Sequence, residues 1–472
     1  MNGDYAKVTP EIADALRGII GEANVIWDDP EKLESYSHDE TADKRYAAMP
    51  EIVVKAGSTE DVAAVMKLAG RERIPVTPRG AGSGLSCGAV PVFGGIVLSL
   101  ERMNRILEID PGNMTATVEP GVITNDIDNA AAEQGLFFAG YPMSLETCFI
   151  GGNVAENAGG GKAVKYGVTG RYILGLEVVL PTGEVIILGG KRVKDVTGYD
   201  LIHLLVGSEG TLGIFTRIII KLLPMPKASV SLLVLFPTVQ DAIDTVPAVM
   251  TETGIIPTAV EFMDQLSFTT ACEYLNESLS YADAGAMLLI EVDGSDAGQV
   301  ERDYDAVGQL CLDRGAIEVY VADNHTTRER IWKIRRNVPE AFKVVSPFQT
   351  LEDIVVPTAA IPALMPELAK ISKQHGVTIP SYGHAGDGNL HATVVKDPAM
   401  SEDEWNRVLP AVLTQLYKAV AALGGTISGE HGIGSKRREF IHLVLDETTI
   451  GLMRRIKQAF DPQGILNPGK II

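Results

Sequence analysis

The spacing of hydrophobic residues switches repeatedly between the period of a strand and the period of a helix, which is typical of an α/β chain. Residues 1–45 have a helical spacing and pass into a polar segment. The run 51–57 predicts a strand, and 59–72 predicts a helix with Thr59 as its N-cap and with Val62, Val65, Met66 and Ala69 on one face. Further strands are predicted within residues 74–80, 94–100, 115–121, 174–188 and 212–224. Because the pieces are short and rich in turns, we expect mixed α+β sheets rather than a regular doubly wound sheet.

A second α/β region begins after Pro224. Its predicted strands are residues 228–236, 256–262, 286–294, 352–357, 376–384 and 389–395, and its predicted helices are 239–253, 296–314 and 360–375. A helix-rich tail follows at about residues 402–460. Because 472 residues are too many for one ordinary hydrophobic core, we expect two or three domains.

Charge and composition exclude several classes of function. The formal net charge is −20, which argues against nucleic acid as a partner because phosphate binding needs a basic face. The N-terminus has neither the basic start nor the apolar run of a signal peptide, and no run of 18 apolar residues occurs. We therefore expect a cytoplasmic protein without a membrane span. The cysteines (Cys87, Cys148, Cys272 and Cys311) form no CxxC pair, so we expect free thiols and no iron–sulfur cluster in this chain.

Two glycine-rich segments have the composition of a ligand cradle. In residues 78–88, Cys87 stands where a Rossmann fingerprint needs its third glycine, and the following residues cannot begin a long helix. In residues 151–162, Ala163 replaces the Ser or Thr of a phosphate-binding P-loop that would follow Lys162. What remains is backbone that can approach an anionic or flat ligand closely. Mobile surface loops are the alternative.

Histidines and a glutamate in the second half suggest a metal site. His384 and His391 flank a glycine-rich turn, and Glu430 is the natural third ligand for a divalent ion with open positions for substrate. His431 would then serve as a base. The alternative is that these histidines are structural. On a predicted helix, Arg335 or Arg336 is a candidate clamp for a substrate carboxylate, although a solvated helix face is as good an interpretation.

Eight segments together resemble the vanillyl-alcohol-oxidase, or PCMH-type, superfamily of FAD flavoproteins. They are PRGAGSGLSCG, IGGNVAENAGG, KYGVTGRYILGLEVVLPTGEV, VKDVTGYDL, GSEGTLGI, YGHAGDGNLH, SGEHGIG and DPQGILNPGK. The chain resembles the branch of D-lactate dehydrogenases, glycolate oxidase FAD subunits and D-2-hydroxyglutarate dehydrogenases from about Tyr36 to the C-terminus. The resemblance implies an α+β fold. A PCMH-type FAD-binding domain of two α/β subdomains would span 1–224, with a helical segment at 1–45. An α/β cap domain with an antiparallel sheet would span 225–410, and a helical segment at 411–472 would return to the flavin.

The same resemblance implies roles for individual residues. Backbone amides around the FAD pyrophosphate would come from Arg79, Gly80, Ala81, Gly82, Ser83, Gly84 and Leu85. The ribityl chain and isoalloxazine would be lined by Pro142, Thr147, Gly151, Gly152, Asn157 and Gly159. Glu209, Gly210 and Ile214 would hold the adenine end, and Asn467 would return near the flavin. His384, His391 and Glu430 would ligate a divalent metal (Zn, Mn or Fe), with His431 as catalytic base and Arg335 as carboxylate anchor.

The resemblance also implies a reaction, which is oxidation of a small 2-hydroxy acid with D-lactate as the best single candidate. FAD is expected to be non-covalent, because the first glycine loop has no histidine. Leu351 and Glu352 stand where the D-2-hydroxyglutarate enzymes carry a lysine, which favours a monocarboxylate. Electrons would leave to a partner protein, either an electron-transferring flavoprotein or an iron–sulfur subunit, or to a quinone or cytochrome, and homo-oligomerisation stays open. The alternatives are a glycolate or D-2-hydroxyglutarate dehydrogenase, a relative that synthesises alkylglycerone phosphate or oxidises sugars, and a non-catalytic electron-transfer subunit.

Overall fold

The structure is a computed structural model that describes residues 5–277, 284–322 and 324–472. Its α-helices are, in chain order, α1 Pro10–Ile20, α2 Pro30–Glu34, α3 Thr59–Glu72, α4 Thr124–Ala132, α5 Ile150–Glu156, α6 Ala163–Tyr166, α7 Leu201–Leu205, α8 Val239–Thr253, α9 Gln265–Leu275, α10 Ala297–Asp313, α11 His325–Val345, α12 Ile361–His375, α13 Glu402–Ala422 and α14 Glu447–Phe460. Its strands are β1 Val25–Trp27, β2 Ile52–Lys55, β3 Val76–Arg79, β4 Ile96–Ser99, β5 Ile106–Asp110, β6 Thr115–Val118, β7 Leu136–Phe137, β8 Ile173–Val179, β9 Val185–Gly189, β10 Ile214–Lys221, β11 Leu223–Pro224, β12 Ala228–Phe236, β13 Ala259–Asp264, β14 Ala286–Gly294, β15 Glu318–Ala322, β16 Gln349–Val355, β17 Ser381–His384 and β18 Asn389–Val395.

The chain divides into two compact units. The first contains Met1–Gly159, Val168–Pro224 and Glu430–Ile472, and the second contains Gly160–Gly167 and Met225–Gly429. The break at Pro224 agrees with the change in sequence pattern. The later break lies after Gly429 rather than at residue 410, so helix α13 belongs to the second unit, and a short piece of the glycine-rich region joins that unit as well.

The first unit contains a four-stranded sheet in the order β1-β2-β4-β3, in which β4 is parallel to β2 and β3, and β1 is antiparallel to β2. Helix α3 buries Val62, Val65, Met66 and Ala69, as predicted. The predicted N-cap was wrong by one position, because the Ser58 side chain accepts the Asp61 N–H and Thr59 is the first helical residue. The prediction for residues 1–45 was wrong in part, because Val25–Trp27 pairs with β2 as an edge strand. Pairing with a neighbouring strand overrides the local helical spacing there.

A five-stranded antiparallel sheet in the order β5-β6-β10-β8-β9 also belongs to the first unit. The C-terminal tail then docks on β3, since the Val76 N–H donates to the Ile465 carbonyl and the Asn467 N–H donates to the Val76 carbonyl. Ile465 and Leu466 are buried in the same hydrophobic core as β2, β4 and α3. The tail therefore ends beside the strand from which the first glycine loop starts.

The second unit is built on a seven-stranded antiparallel sheet in the order β15-β12-β14-β13-β17-β18-β16. The predicted helices 239–253, 296–314 and 360–375 are confirmed within one or two residues at each end, and the strand predicted at 256–262 lies at Ala259–Asp264. The central strands are buried on both faces, which explains their near-continuous apolar runs. None of the helices in the described ranges is long and apolar enough to cross a bilayer.

Candidate functional site

The first glycine loop leaves β3 at Arg79, whose side chain is buried. Its guanidinium donates to the carbonyls of His38 (2.8 Å) and Ser35 (3.3 Å) and stacks over the ring of Tyr36. Gly82 has φ +77°, and a Cβ there would collide with this guanidinium. Because the Arg79 guanidinium is bonded to the segment that contains Ser35 and His38, only the backbone of Arg79 is available to a ligand.

The loop ends at a buried cysteine in the left-handed backbone region. Cys87 has φ 62°, and its N–H donates to Asp39 Oδ2 at 2.7 Å. Burial, followed by the negative charge of Asp39, raises the pKa of the Cys87 thiol to about 11. A thiol that stays protonated at neutral pH is a poor nucleophile, which favours the expected non-covalent cofactor.

The second glycine segment is not simply a loop, because Ile150–Glu156 forms the short helix α5. A Cβ at Gly151 would press on Pro120, whereas a Cβ at Gly152 would meet nothing within 4 Å. A Cβ at Gly80 would lie 3.8 Å from the Gly152 nitrogen. The two glycine segments are therefore neighbours, and open space lies beside Gly152.

The other residues predicted to line the ribityl chain and isoalloxazine have different environments. Asn157 ends α5 with φ 55°, and its side-chain oxygen accepts the Gly170 N–H. Pro142 is partly buried and Thr147 is exposed, with its hydroxyl donating to the Ser144 carbonyl. A Cβ at Gly159 would lie 3.3 Å from Glu430 Oε2, so the chain packs there without a side chain.

Glu209 links three stretches of the first unit. Its carboxylate accepts the N–H groups of Ile433 and Gly434, at 2.7 and 2.6 Å. The Asn467 amide donates to the carbonyls of Glu209 and Gly88. Two other predicted contacts face protein, since a Cβ at Gly210 would lie 2.7 Å from Pro78 and Ile214 is buried in the hydrophobic core.

Glu156 was not singled out from the sequence, although its place in a glycine-rich segment was a usable signal. Its side chain is partly buried, and its Oε1 accepts the Ser86 hydroxyl at 3.4 Å. A Cβ at Gly88 would lie 2.8 Å from Oε1, and one at Gly432 would collide with Oε2. Burial, together with the charges of Glu209 and Asp39, raises the pKa of Glu156 well above its usual value.

Buried polar atoms without a hydrogen-bond partner gather around these predicted cofactor contacts. Within the described part of the chain they include Glu156 Oε2, Ser208 Oγ and Asn467 Oδ1. Leaving such groups unsatisfied costs about 1–3 kcal/mol each. They fit a polar ligand that docks between the glycine segments and the tail.

Glu430 and His431 lie next to each other at the start of the third stretch of the first unit. His431 Nε2 is 3.5 Å from Glu430 Oε1, and both side chains are mostly buried. The imidazole and the carboxylate are thus side by side, with Glu430 against Gly159.

The second unit contains the two other histidines on adjacent strands. His384 ends β17 and His391 lies on β18, with ring centroids 5.4 Å apart and both side chains buried. His384 Nδ1 is 2.6 Å from Glu261 Oε1, which fixes the orientation of its ring. The structure therefore brings these two predicted ligands together, while Glu430 belongs to the other unit.

Arg335 joins the same cluster from helix α11. Its Nε donates to Glu261 Oε2 at 2.6 Å, and its guanidinium lies 5.2 Å over the Tyr382 ring. Arg335 Nη2 is buried and has no hydrogen-bond partner among the described residues. Arg336 is exposed and pairs with Glu329, so the structure separates the two arginines that the sequence left open.

Two acids in this cluster were missed from the sequence. Burial alone would raise the pKa of Glu261, but the charges and hydrogen bonds of His384 and Arg335 lower it, so the group is an anion. Asp353 accepts the Asn389 amide, the Ser428 hydroxyl and the Gly429 N–H, and lies 3.9 Å from His391 Nδ1. For Glu261 the usable signal was an acid in the middle of an otherwise apolar run.

Comparisons with known proteins identify two families of domains and several full-length relatives. Residues 50–189 match the model of the FAD binding domain, and residues 225–471 match that of the C-terminal domain of FAD linked oxidases. The chain is 39% identical to the glycolate oxidase subunit GlcD of Bacillus subtilis over 98% of its length and 97% of that protein. It is 38% identical to a D-lactate dehydrogenase of Anaerostipes hadrus over 99% and 98% of the two chains.

The fold is also similar to that of a solved structure. A crystal structure of p-cresol methylhydroxylase superposes with a TM-score of 0.81 over 98% of this chain and 97% of that chain, at 19% identity. The predicted α+β, PCMH-type fold is thereby confirmed.

Proposed function

Because this chain belongs to the family of FAD-linked oxidoreductases that includes D-lactate dehydrogenases and glycolate oxidase subunits, as its motifs predicted, we propose that it oxidises a small D-2-hydroxy acid to the 2-oxo acid. D-lactate is the first candidate substrate. The arrangement of Arg335, Glu261 and His384 carries the proposal, because a guanidinium with one tethered nitrogen and one unpartnered nitrogen is suited to a single carboxylate.

The proposed reaction removes a hydride from C2 of the substrate and a proton from its hydroxyl group. Arg335 binds and orients the substrate carboxylate, and an imidazole nitrogen of His431 takes the hydroxyl proton. When bound, FAD supplies the hydride acceptor at N5. Backbone of the segments around Gly80 and Gly152 would hold that cofactor, and Asn467 would contribute from the tail.

A divalent metal is the second expected component. His384, His391 and Glu430 would hold it, and the tethered Nδ1 of His384 supports this because metal-ligating histidines are usually oriented by a hydrogen bond at their other nitrogen. Zn²⁺, Mn²⁺ and Fe²⁺ all accept such a donor set. When bound, the metal lowers the pKa of a hydroxyl ligand.

The substrate is tested by mixing the purified FAD-loaded protein anaerobically with D-lactate, L-lactate, glycolate and D-2-hydroxyglutarate. We expect D-lactate to bleach the flavin absorption band fastest and L-lactate to leave it unchanged. Faster bleaching by glycolate would move the assignment to that acid, which is the substrate in the name of the B. subtilis relative. Loss of the bound metal to a chelator is expected to slow bleaching while the flavin stays bound. An unbleached flavin with all four acids would refute the proposal.

The electrons are proposed to pass to a partner protein, either an electron-transferring flavoprotein or an iron–sulfur subunit. The four cysteines of this chain are buried free thiols, so the chain offers no thiolate cluster of its own for onward electron transfer. The test is to add each candidate acceptor to the substrate-reduced protein under anaerobic conditions. Reoxidation by a quinone analogue alone would contradict the proposal of a protein acceptor.

A further inference from the structure

Glu261 lies at the centre of the cluster in the second unit and has no solvent exposure. A buried carboxylate is tolerated only when it is paired and hydrogen-bonded. Glu261 meets this condition through two partners, one on each oxygen, at 2.6 Å in both cases. The two partners are the residues assigned separately to the substrate carboxylate and to the metal.

The fold dictates that one carboxylate serves both partners. In the register of β13 and β17, Glu261 stands directly opposite His384, while helix α11 brings Arg335 to the other oxygen. Tyr382 lies two residues before His384 on β17, opposite His391, and its ring faces the Arg335 guanidinium. Moving the Glu261 carboxylate would therefore change the positions of Arg335 and His384 together.

A glycine of the crossover segment, which is the stretch Gly160–Gly167 of the second unit, packs against this carboxylate. Gly161 belongs to the second unit, and a Cβ there would lie 2.7 Å from Glu261 Oε1 and 3.6 Å from His384 Nδ1. Real Cβ atoms do not approach an oxygen so closely, so a methyl group would displace the carboxylate. This contact gives the third glycine of the Gly159–Gly161 run a specific structural reason.

We propose that Glu261 is a positioning residue that sets the orientation of the carboxylate anchor Arg335 and of the metal ligand His384 at once, with Gly161 keeping its carboxylate in place. This inference rests on the proposed function. It implies that substrate binding and metal affinity are coupled through one side chain, although that side chain touches neither ligand.

The test compares Glu261→Gln, Glu261→Asp and Gly161→Ala with the control Glu291→Gln. Glu291 is a buried acid on the neighbouring strand β14, and it accepts the Ser231 hydroxyl. For each protein, Zn²⁺ affinity is measured against a competing chromophoric chelator, and KM and kcat for D-lactate are measured separately. Thermal unfolding reports whether each variant is folded.

We expect Glu261→Gln to weaken Zn²⁺ binding by about 10- to 100-fold, because loss of the carboxylate that orients a metal-ligating histidine typically has an effect of this size. We expect the same variant to raise KM by about tenfold or more, because Arg335 loses the carboxylate that holds it. Gly161→Ala should shift both quantities in the same direction, and Glu291→Gln should leave both within about twofold of the wild type. If Glu261→Gln does not fold, Glu261→Asp and Gly161→Ala decide the question.

The failures are distinguishable. A wild type that is reduced by D-lactate and binds Zn²⁺, beside a Glu261→Gln variant that lowers only the unfolding temperature, overturns the positioning role alone. A wild type that binds Zn²⁺ but is not reduced by any 2-hydroxy acid overturns the proposed function, and the Zn²⁺ affinities of the variants then still test Glu261. A wild type that neither binds Zn²⁺ nor is reduced overturns both.

Discussion

At the scale of single residues, the local environment of each ionisable group sets its pKa. The pKa of Glu261 is lowered because His384 and Arg335 offset the effect of burial, whereas burial and neighbouring acids raise the pKa of Glu156. The two carboxylates have the same chemistry, but their pKa values are shifted in opposite directions. Their environments make the difference, and no sequence pattern states those environments.

The base assignment is tested by His431→Asn. The amide keeps hydrogen-bonding capacity but cannot take the substrate proton, so we expect flavin reduction to slow by roughly 10²- to 10⁴-fold while FAD stays bound. Stopped-flow reduction under anaerobic conditions measures the effect. The exposed His203, which pairs with Asp200, provides the control variant His203→Asn, whose rate should not change. Fast reduction in His431→Asn would remove His431 from the mechanism.

The raised pKa of Glu156 predicts a dependence of stability on pH. Between the usual pKa of a glutamate and the raised value, the folded protein holds a proton that the unfolded chain has lost, so this group makes stability fall as pH rises. Glu156→Gln cannot lose that proton. We therefore expect the unfolding temperature of Glu156→Gln, relative to the wild type, to increase as the pH is raised above about 4.3. A difference that is flat with pH would show that Glu156 is ionised in the folded protein.

At the scale of elements, helix and strand ends deliver the candidate residues. Strand β3 starts the first glycine loop, and β17 and β18 present the two histidines through their antiparallel register. Helix α14 ends at Phe460, after which Asp461 accepts the N–H groups of Ile465 and Leu466 and shapes the tail. These ends position side chains that lie far apart in the sequence.

A largely buried ion pair connects α14 to the tail that follows it. Asp461 Oδ2 is 2.6 Å from Lys457 Nζ, and the lysine also donates to the carbonyls of Thr211 and Leu466. Asp461→Asn leaves the buried ammonium without its counter-charge, so we expect a loss of about 3 kcal/mol in the free energy of unfolding. Urea denaturation of the FAD-free protein measures it. The exposed pair of Lys370 and Glu367 offers the control Glu367→Gln, which should have little effect.

At the scale of the whole molecule, the chain passes between its two compact units at four points. The stretch Gly160–Gly167 belongs to the second unit although both of its flanks belong to the first. Lys165 pairs with Asp293 and Tyr166 donates to the same carboxylate, which ties this stretch to β14. The excess of acidic residues is spread over the chain, so it argues against a nucleic-acid partner without specifying a site.

We expect the Lys165–Asp293 ion pair to stabilise the packing of the crossover segment Gly160–Gly167 on β14. Lys165→Met leaves the buried Asp293 with one donor fewer, so we expect the second unit to lose about 1–3 kcal/mol in its free energy of unfolding. Differential scanning calorimetry resolves the transition, and the exposed Lys32→Met variant is the control. An unchanged transition in Lys165→Met would mean that this stretch docks without the ion pair.

Sequence alone determined the fold class, most helices and strands, and the residues worth examining. Periodicity identified α8, α10 and α12 because long amphipathic segments bury one face wherever they pack. The sequence also predicted that His384 and His391 lie side by side, because the short glycine-rich turn between them leaves few other arrangements. The eight motifs together specified the family.

Only the tertiary structure decided which groups share an environment. Arg335 and Arg336 are neighbours in sequence, yet helix geometry buries one and exposes the other. Glu261 and Glu156 became candidates only when distant strands and loops closed over them, because burial and pairing are properties of the folded chain. A sequence states which side chains carry charge, but the strand register and the packed core decide which of those charges meet.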